Sequence, residues 1–272
     1  MGRMTLRGQS QCDPKSHLPL QSDRIASRVL PMVEFPQTLE AAIAQAQTAT
    51  QAAIAAGYTR LQVDLLLPEL KPMPAAFQYF PVFSDAGAHL KVFFTDAGAA
   101  ALARRDWGDI PHPICSLDVA GSRQTTPVSE LVSPDDQLFL FVAPSSVEVS
   151  PVEQVCTAAG DRPVVLFAPR LEDMGTVGIG YTARKIRERF LNTFEPCYYL
   201  RPLDGAALLR CYPSPWQVWL EGDDTYTLIA EELLKPDSEK ITEILTQVGG
   251  GQPVPKRSFI AEMQRFLKAL GQ

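Results

Sequence analysis

Residues 162–203, RPVVLFAPRLEDMGTVGIGYTARKIRERFLNTFEPCYYLRPL, constrain the fold more than any other stretch of the chain. The apolar run at 164–168 is short and bounded by turn signals, as a buried strand is. Ala183, Ile186, Phe190 and Leu191 then recur at helical spacing. The stretch reads as strand, glycine-rich loop, basic helix, strand, which is one βαβ unit.

The rest of the chain extends this pattern. Thr38 is placed to cap an alanine-rich helix that ends at Gly57, with Leu39, Ile43, Ala46 and Ile54 as its buried stripe. Strands are predicted over 59–67, 90–94, 114–119 and 137–143, and helices after Asp96 (Ala100, Leu102, Ala103) and over 152–159. Four prolines, Pro68, Pro72, Pro74 and Pro81, predict irregular backbone between 67 and 84. After Pro196 the pattern changes to short strands at 197–202, 206–212, 216–221 and 225–230. Their links, Asp204-Gly205, Pro213-Ser214-Pro215 and Gly222-Asp223, suit antiparallel hairpins. A helix over 238–248 follows. The expected fold is α/β: a mainly parallel sheet with flanking helices, antiparallel edge strands in the C-terminal third, and a tethered C-terminal helix.

Residues 1–31 are polar, basic and without periodicity, and are expected to form a disordered tail ahead of a single domain over 32–248. Met32 opens a different kind of sequence and is the expected start of the protein, with a short organelle-targeting leader as the rival reading. Three glycines, Gly249, Gly250 and Gly251, open a linker over 249–257. In the segment 258–272, Phe259, Ile260, Met263, Phe266, Leu267 and Leu270 share one helical face. Such a helix can dock on its own domain, on a partner or on a membrane surface, so peripheral membrane contact stays open.

Composition narrows the function classes. A net charge of −6 over 272 residues argues against a general nucleic-acid binder, which needs a basic surplus to neutralise phosphates. The five cysteines show no CxxC spacing and read as small buried residues, with no disulfide framework. The chain has no uninterrupted apolar run of the roughly 18 residues that a membrane-spanning helix requires.

Motifs for chemistry fall short. The loop Gly175-Thr-Val-Gly178-Ile-Gly180 sits between strand and helix, where phosphate loops sit, but it reads GxxGxG and lacks a following GK[ST]. Arg184 and Lys185 occupy the first turns of the helix, where the macrodipole disfavours cations, and so invite an anionic partner. The plainer account is a solvated face with Glu188 offsetting Arg184 at i,i+4. His17, His89 and His112 have no metal-ligand spacing. Ser145 and Ser146 follow a strand but lack GxSxG and a later histidine. Asp96 reads as a cap, Asp118 as loop polarity, and Glu172-Asp173 beside Arg170 as a surface ion pair. No catalytic residue, metal or cofactor is assigned. The residues expected to bind a ligand or partner are Arg170, Gly175, Gly178, Gly180, Arg184, Lys185 and Arg187.

The segments VEFPQTLEAAIAQAQTATQAAIAAG, RLQVDLLLPEL and above all VLFAPRLEDMGTVGIGYTARKIRERFLNTFEPCYYLRPL resemble an uncharacterised-domain family of cyanobacteria and chloroplasts, over about residues 33–245. Its plant members include the low-photosystem-II-accumulation-3 proteins, and a related domain extends a chloroplast adenylate kinase at its C-terminus. The resemblance implies an auxiliary, non-enzymatic role in photosystem II assembly at the thylakoid beside insertion machinery, in a cytoplasmic-side form. It brings no catalytic residues. The alternative is a nucleotide- or phosphate-metabolite-binding regulatory domain using the loop of Gly175, Gly178 and Gly180.

Overall fold

The computed structural model describes residues 33–117, 131–171, 181–223 and 225–248. The expected tail over 1–31, the linker over 249–257 and the amphipathic helix over 258–272 lie outside the described residues, as do Asp118, Glu172 and Asp173.

Thr38 is extended (φ −137°) and its hydroxyl accepts the Ala41 N–H at 3.0 Å, which starts α1 (Leu39–Ala55). The helix buries Ala42, Ala46, Ala49 and Ala53, whose small side chains let its axis lie close to the sheet, with Leu39 and Ile43 filling the gaps. Ile54 is only partly buried. β1 (Arg60–Leu65) follows. The proline-rich stretch expected to be irregular instead holds α2 (Pro72–Tyr79) and a 3-10 stretch, Phe80–His89, kinked at Gly87. Pro72 stands at the first helical position, where a missing N–H costs nothing, so it starts the helix rather than breaking it.

β2 (Leu90–Phe94) leads to Asp96, whose carboxylate accepts the Ala99 N–H at 2.8 Å and caps α3 (Ala97–Trp107). Ala100 and Ala103 of α3 are buried as expected, whereas Leu102 is exposed because it falls on the outer face. β3 is only Ile114–Ser116, shorter than predicted, and β4 is Leu138–Val142. A capping box between Ser145 and Glu148 turns the chain into α4 (Val149–Ala159), after which come β5 (Val164–Phe167) and α5 (Tyr181–Arg189). β6 (Glu195–Leu203), β7 (Ala206–Cys211), β8 (Trp216–Glu221), β9 (Tyr226–Glu232) and α6 (Ser238–Val248) complete the order.

The nine strands among the described residues form one sheet in the order β3-β2-β4-β5-β1-β6-β7-β8-β9. The first six are parallel, and β6 to β9 are an antiparallel meander, as the turn signals predict. The two strands of the 162–203 stretch are not neighbours: β1 lies between β5 and β6 and pairs with both. Helices α1, α2 and α3 cover one face, over Leu61, Val63, Val92, Leu140 and Val165. Helix α4 and the aromatic turn after α5 (Phe190, Phe194) cover the other, over Phe93, Phe139, Phe141 and Leu166, while α6 places Ile244 on Leu208 and Val218. With both faces covered, the central strands LKVFF, LFLFV and VVLF are buried at every residue.

The amino edge of the sheet is stitched by two arginines. Arg60 donates to the carbonyls of Thr59, Cys156, Gly160 and Arg162 at 2.6–3.0 Å, and Arg162 to those of Ser133, Asp136, Ala158 and Ala159 at 2.7–2.9 Å. They satisfy carbonyls that the end of α4 would otherwise leave unpaired. Lys91 is buried and held by Asp136 (2.7 Å) and the Leu131 carbonyl (2.9 Å).

The cap at Asp96 gives a pH-dependent prediction. Backbone hydrogen bonding from Ala99 holds its carboxyl below the ordinary value, so the stabilisation it adds is complete above the unfolded-state pKa and is lost as pH falls through the folded one. Asp96→Ala should cost about 1 kcal/mol in denaturant unfolding at pH 7. The difference from wild type should shrink below about pH 4.

Candidate functional site

In open α/β sheets, ligands collect at the carboxyl ends of the parallel strands, and backbone strain singles out that edge here. β4 runs into Val142-Ala143-Pro144-Ser145 and β5 into Phe167-Ala168-Pro169-Arg170, the same Ala-Pro corner on two adjacent strands. Ala143 and Ala168 both take left-handed backbone, at φ 50° and 48°. For an L-residue this costs about 1–2 kcal/mol, and a following proline restricts the residue further. The corners are held by Ala143 N–H to the Phe167 carbonyl (2.8 Å), Ala168 N–H to Val63 (2.8 Å) and Arg170 N–H to Pro144 (2.7 Å), so the two chains turn in step. The third non-glycine residue with positive φ among the described residues is Glu69 (60°), just beyond β1. Strain of this kind gathers at functional edges.

Between the ends of β1 and β5 lies a cleft of about 320 Å³. Its walls are Leu65, Leu66, Leu67, Pro68, Leu70, Pro72, Ala168, Pro169 and Arg170, so among the described residues Arg170 is its one charged lining residue. Leu65, Leu67, Leu70 and Ala168 belong to the core on the α1–α3 side. Asp64, on the opposite face of β1, is a buried carboxylate that accepts both hydrogen bonds from Gln62 Nε2 at 3.0 Å.

Of the residues expected to bind, Arg170 stands exposed at the cleft, and Arg184 and Lys185 are exposed on α5 with Arg187 half-buried. Gly175, Gly178 and Gly180 lie outside the described residues. Ile186 of α5 packs on the core of the second face, away from the α1–α3 side on which the cleft is built. The Arg184–Glu188 offset is not formed; the neighbouring Arg189 pairs with Glu153 at 2.8 Å. Among the described residues, Arg170, Arg184 and Arg187 have no carboxylate partner.

The other groups weighed for chemistry have structural employment. Ser145 serves its capping box, donating to Glu148 at 2.6 Å. His89 Nδ1 meets the Asp135 carbonyl (2.8 Å), and the buried His112 Nδ1 meets that of Gly87. Burial pushes the thiols of Cys156 and Cys197 up to about 12 and that of Cys211 to about 11, far from the thiolate that a nucleophile needs. Among the described residues, no group of three or more His, Cys, Asp or Glu side chains is placed to hold a metal ion. What sequence reasoning passed over is the Ala-Pro corner itself, although V-A-P-S at 142–145 and F-A-P-R at 167–170 repeat it in plain view.

Residues 36–243 match the family model described as a domain of unknown function, DUF1995. The match spans well over half of the chain, and the chain belongs to that family.

If the corners store strain, glycine should relieve it. Ala143→Gly, at a half-buried site, should raise unfolding free energy by up to about 1 kcal/mol, against the usual loss for such a change. Chemical denaturation measures this directly.

Proposed function

We propose that this member of the DUF1995 family is a non-enzymatic auxiliary protein that assists photosystem II assembly at the thylakoid membrane, docking on a membrane protein or its insertion factor through the cations of α5. The observation that carries this reading is the contrast between two sets of arginines. Arg60, Arg162, Arg189 and Arg210 are committed to carbonyls or carboxylates within the domain. Arg184 and Arg187, three residues apart on one helix, have no such partner among the described residues, in a chain whose net charge is −6. Guanidinium forks that meet no carboxylate among the described residues suit an acidic protein surface, where each can take a carboxylate in two-point contact.

The likeness of 162–203 to assembly-associated relatives in chloroplasts supports the same reading. Among the described residues no helix is long and apolar enough to cross a membrane, so contact with the thylakoid is peripheral in this account. A nucleotide or phosphate-metabolite site would draw Arg170, Arg184 and Lys185 around one pocket. Ile186 packs α5 on the second face while the leucines of the cleft belong to the core of the first, and that difference favours docking instead.

Affinity capture from thylakoid extracts in mild detergent tests it. Wild-type protein should recover a photosystem II or insertase subunit, and Arg184→Glu with Arg187→Glu should recover at least tenfold less, with recovery falling as salt rises. Recovery of no such subunit by the wild type overturns the proposal.

A further inference from the structure

We propose that the cleft at the carboxyl edge is a binding site for a small amphipathic monoanion, an apolar body of modest size carrying one carboxylate. The inference goes beyond the docking role of α5 and rests on different residues. Leucine, proline and alanine supply every lining side chain except that of Arg170, which leaves no second side chain to recognise another charge. The single cation matches a single anion. A polyphosphate would need several cations, and Arg170 is the one cation among the described lining residues.

The volume of about 320 Å³ falls at the lower end of small-ligand sites. Such a space holds a chain of roughly ten carbons. The walls are pre-formed. Pro68, Pro72 and Pro169 fix their own backbone, Leu67 and Leu70 are buried in the core, and the hydrogen-bonded Ala-Pro corner sets the position of Arg170. Little ordering is then required when a ligand enters. The apolar body would lie along Leu66, Leu67 and Leu70, with the carboxylate at the guanidinium of Arg170, which is exposed and has no carboxylate partner among the described residues.

The test is isothermal titration of the full chain with decanoate, kept below its micelle concentration, against decyltrimethylammonium as the oppositely charged control. Two variants at exposed positions leave the core intact: Arg170→Gln removes the cation, and Leu66→Asp sets a like charge beside the ligand. Decanoate should bind one to one, and each variant should weaken it by on the order of tenfold or more. Decyltrimethylammonium should bind the wild type at least tenfold more weakly. The Arg184→Glu, Arg187→Glu double variant should bind decanoate as wild type does, so this site and the docking face can fail separately. Equal binding of the anion and the cation, no saturable binding, or unchanged affinity in both cleft variants overturns the proposal. So does a peptide with an apolar C-terminus that outcompetes decanoate at the same residues, since the site would then belong to a polypeptide.

Discussion

The hydrogen-bonded seams on either side of β1 hold this fold together. One seam, Arg60 to Val63 against Val164 to Phe167, ties β1 to the four-strand parallel block; the other, Leu61 to Leu65 against Glu195 to Leu200, ties it to the strand that begins the antiparallel meander. Both strands joined this way are remote from β1 in sequence, so the centre of the sheet forms only when the chain returns to its own beginning. The helix before β1 lies over the same seams, with Thr50 Oγ1 2.6 Å from the buried Tyr79 hydroxyl and its small residues packed against the strands. The cleft is a by-product of this arrangement. It opens where β1 and β5 end side by side and their chains leave in different directions, β1 into the α1–α3 layer and β5 through its Ala-Pro corner.

Two uses of arginine divide the molecule. At the amino edge, Arg60 and Arg162 are consumed by backbone carbonyls, where a guanidinium with five donors can satisfy several helix-end oxygens at once. At the carboxyl edge and on α5, Arg170, Arg184 and Arg187 meet no carboxylate among the described residues. Charge kept free in water contributes little to stability. A binding role accounts for such residues more directly than folding does.

Local chemistry was legible before the structure. Thr38 and Asp96 are caps because a short side-chain oxygen can reach the N–H three residues on, and both were readable as such. The two-residue link Asp204-Gly205 was readable from its turn residues, with Gly205 at φ 71°, and the limits of α6 were readable too. What was not legible depended on distance or context. Prolines between 67 and 84 suggest irregular chain until Pro72 is seen at the start of a helix, and no local pattern reveals that β1 lies between β5 and β6. Glu188 stands at the right spacing for Arg184, yet no such pair forms, while Arg189 reaches Glu153 on another helix. The Ala-Pro corners were visible as letters, but alanine gives no hint of left-handed backbone until the strands that force it are paired.

The proposed docking role rests on Arg184 and Arg187 of α5, which meet no carboxylate among the described residues. Hydrogen exchange read by mass spectrometry, on the protein alone and with thylakoid membranes containing assembling photosystem II, measures that contact on the unmodified chain. The account predicts new protection over residues 184–189, reversed by salt, with the amides of β1 and β5 unchanged. Exchange over 184–189 that stays the same while the protein is bound to those membranes would contradict it.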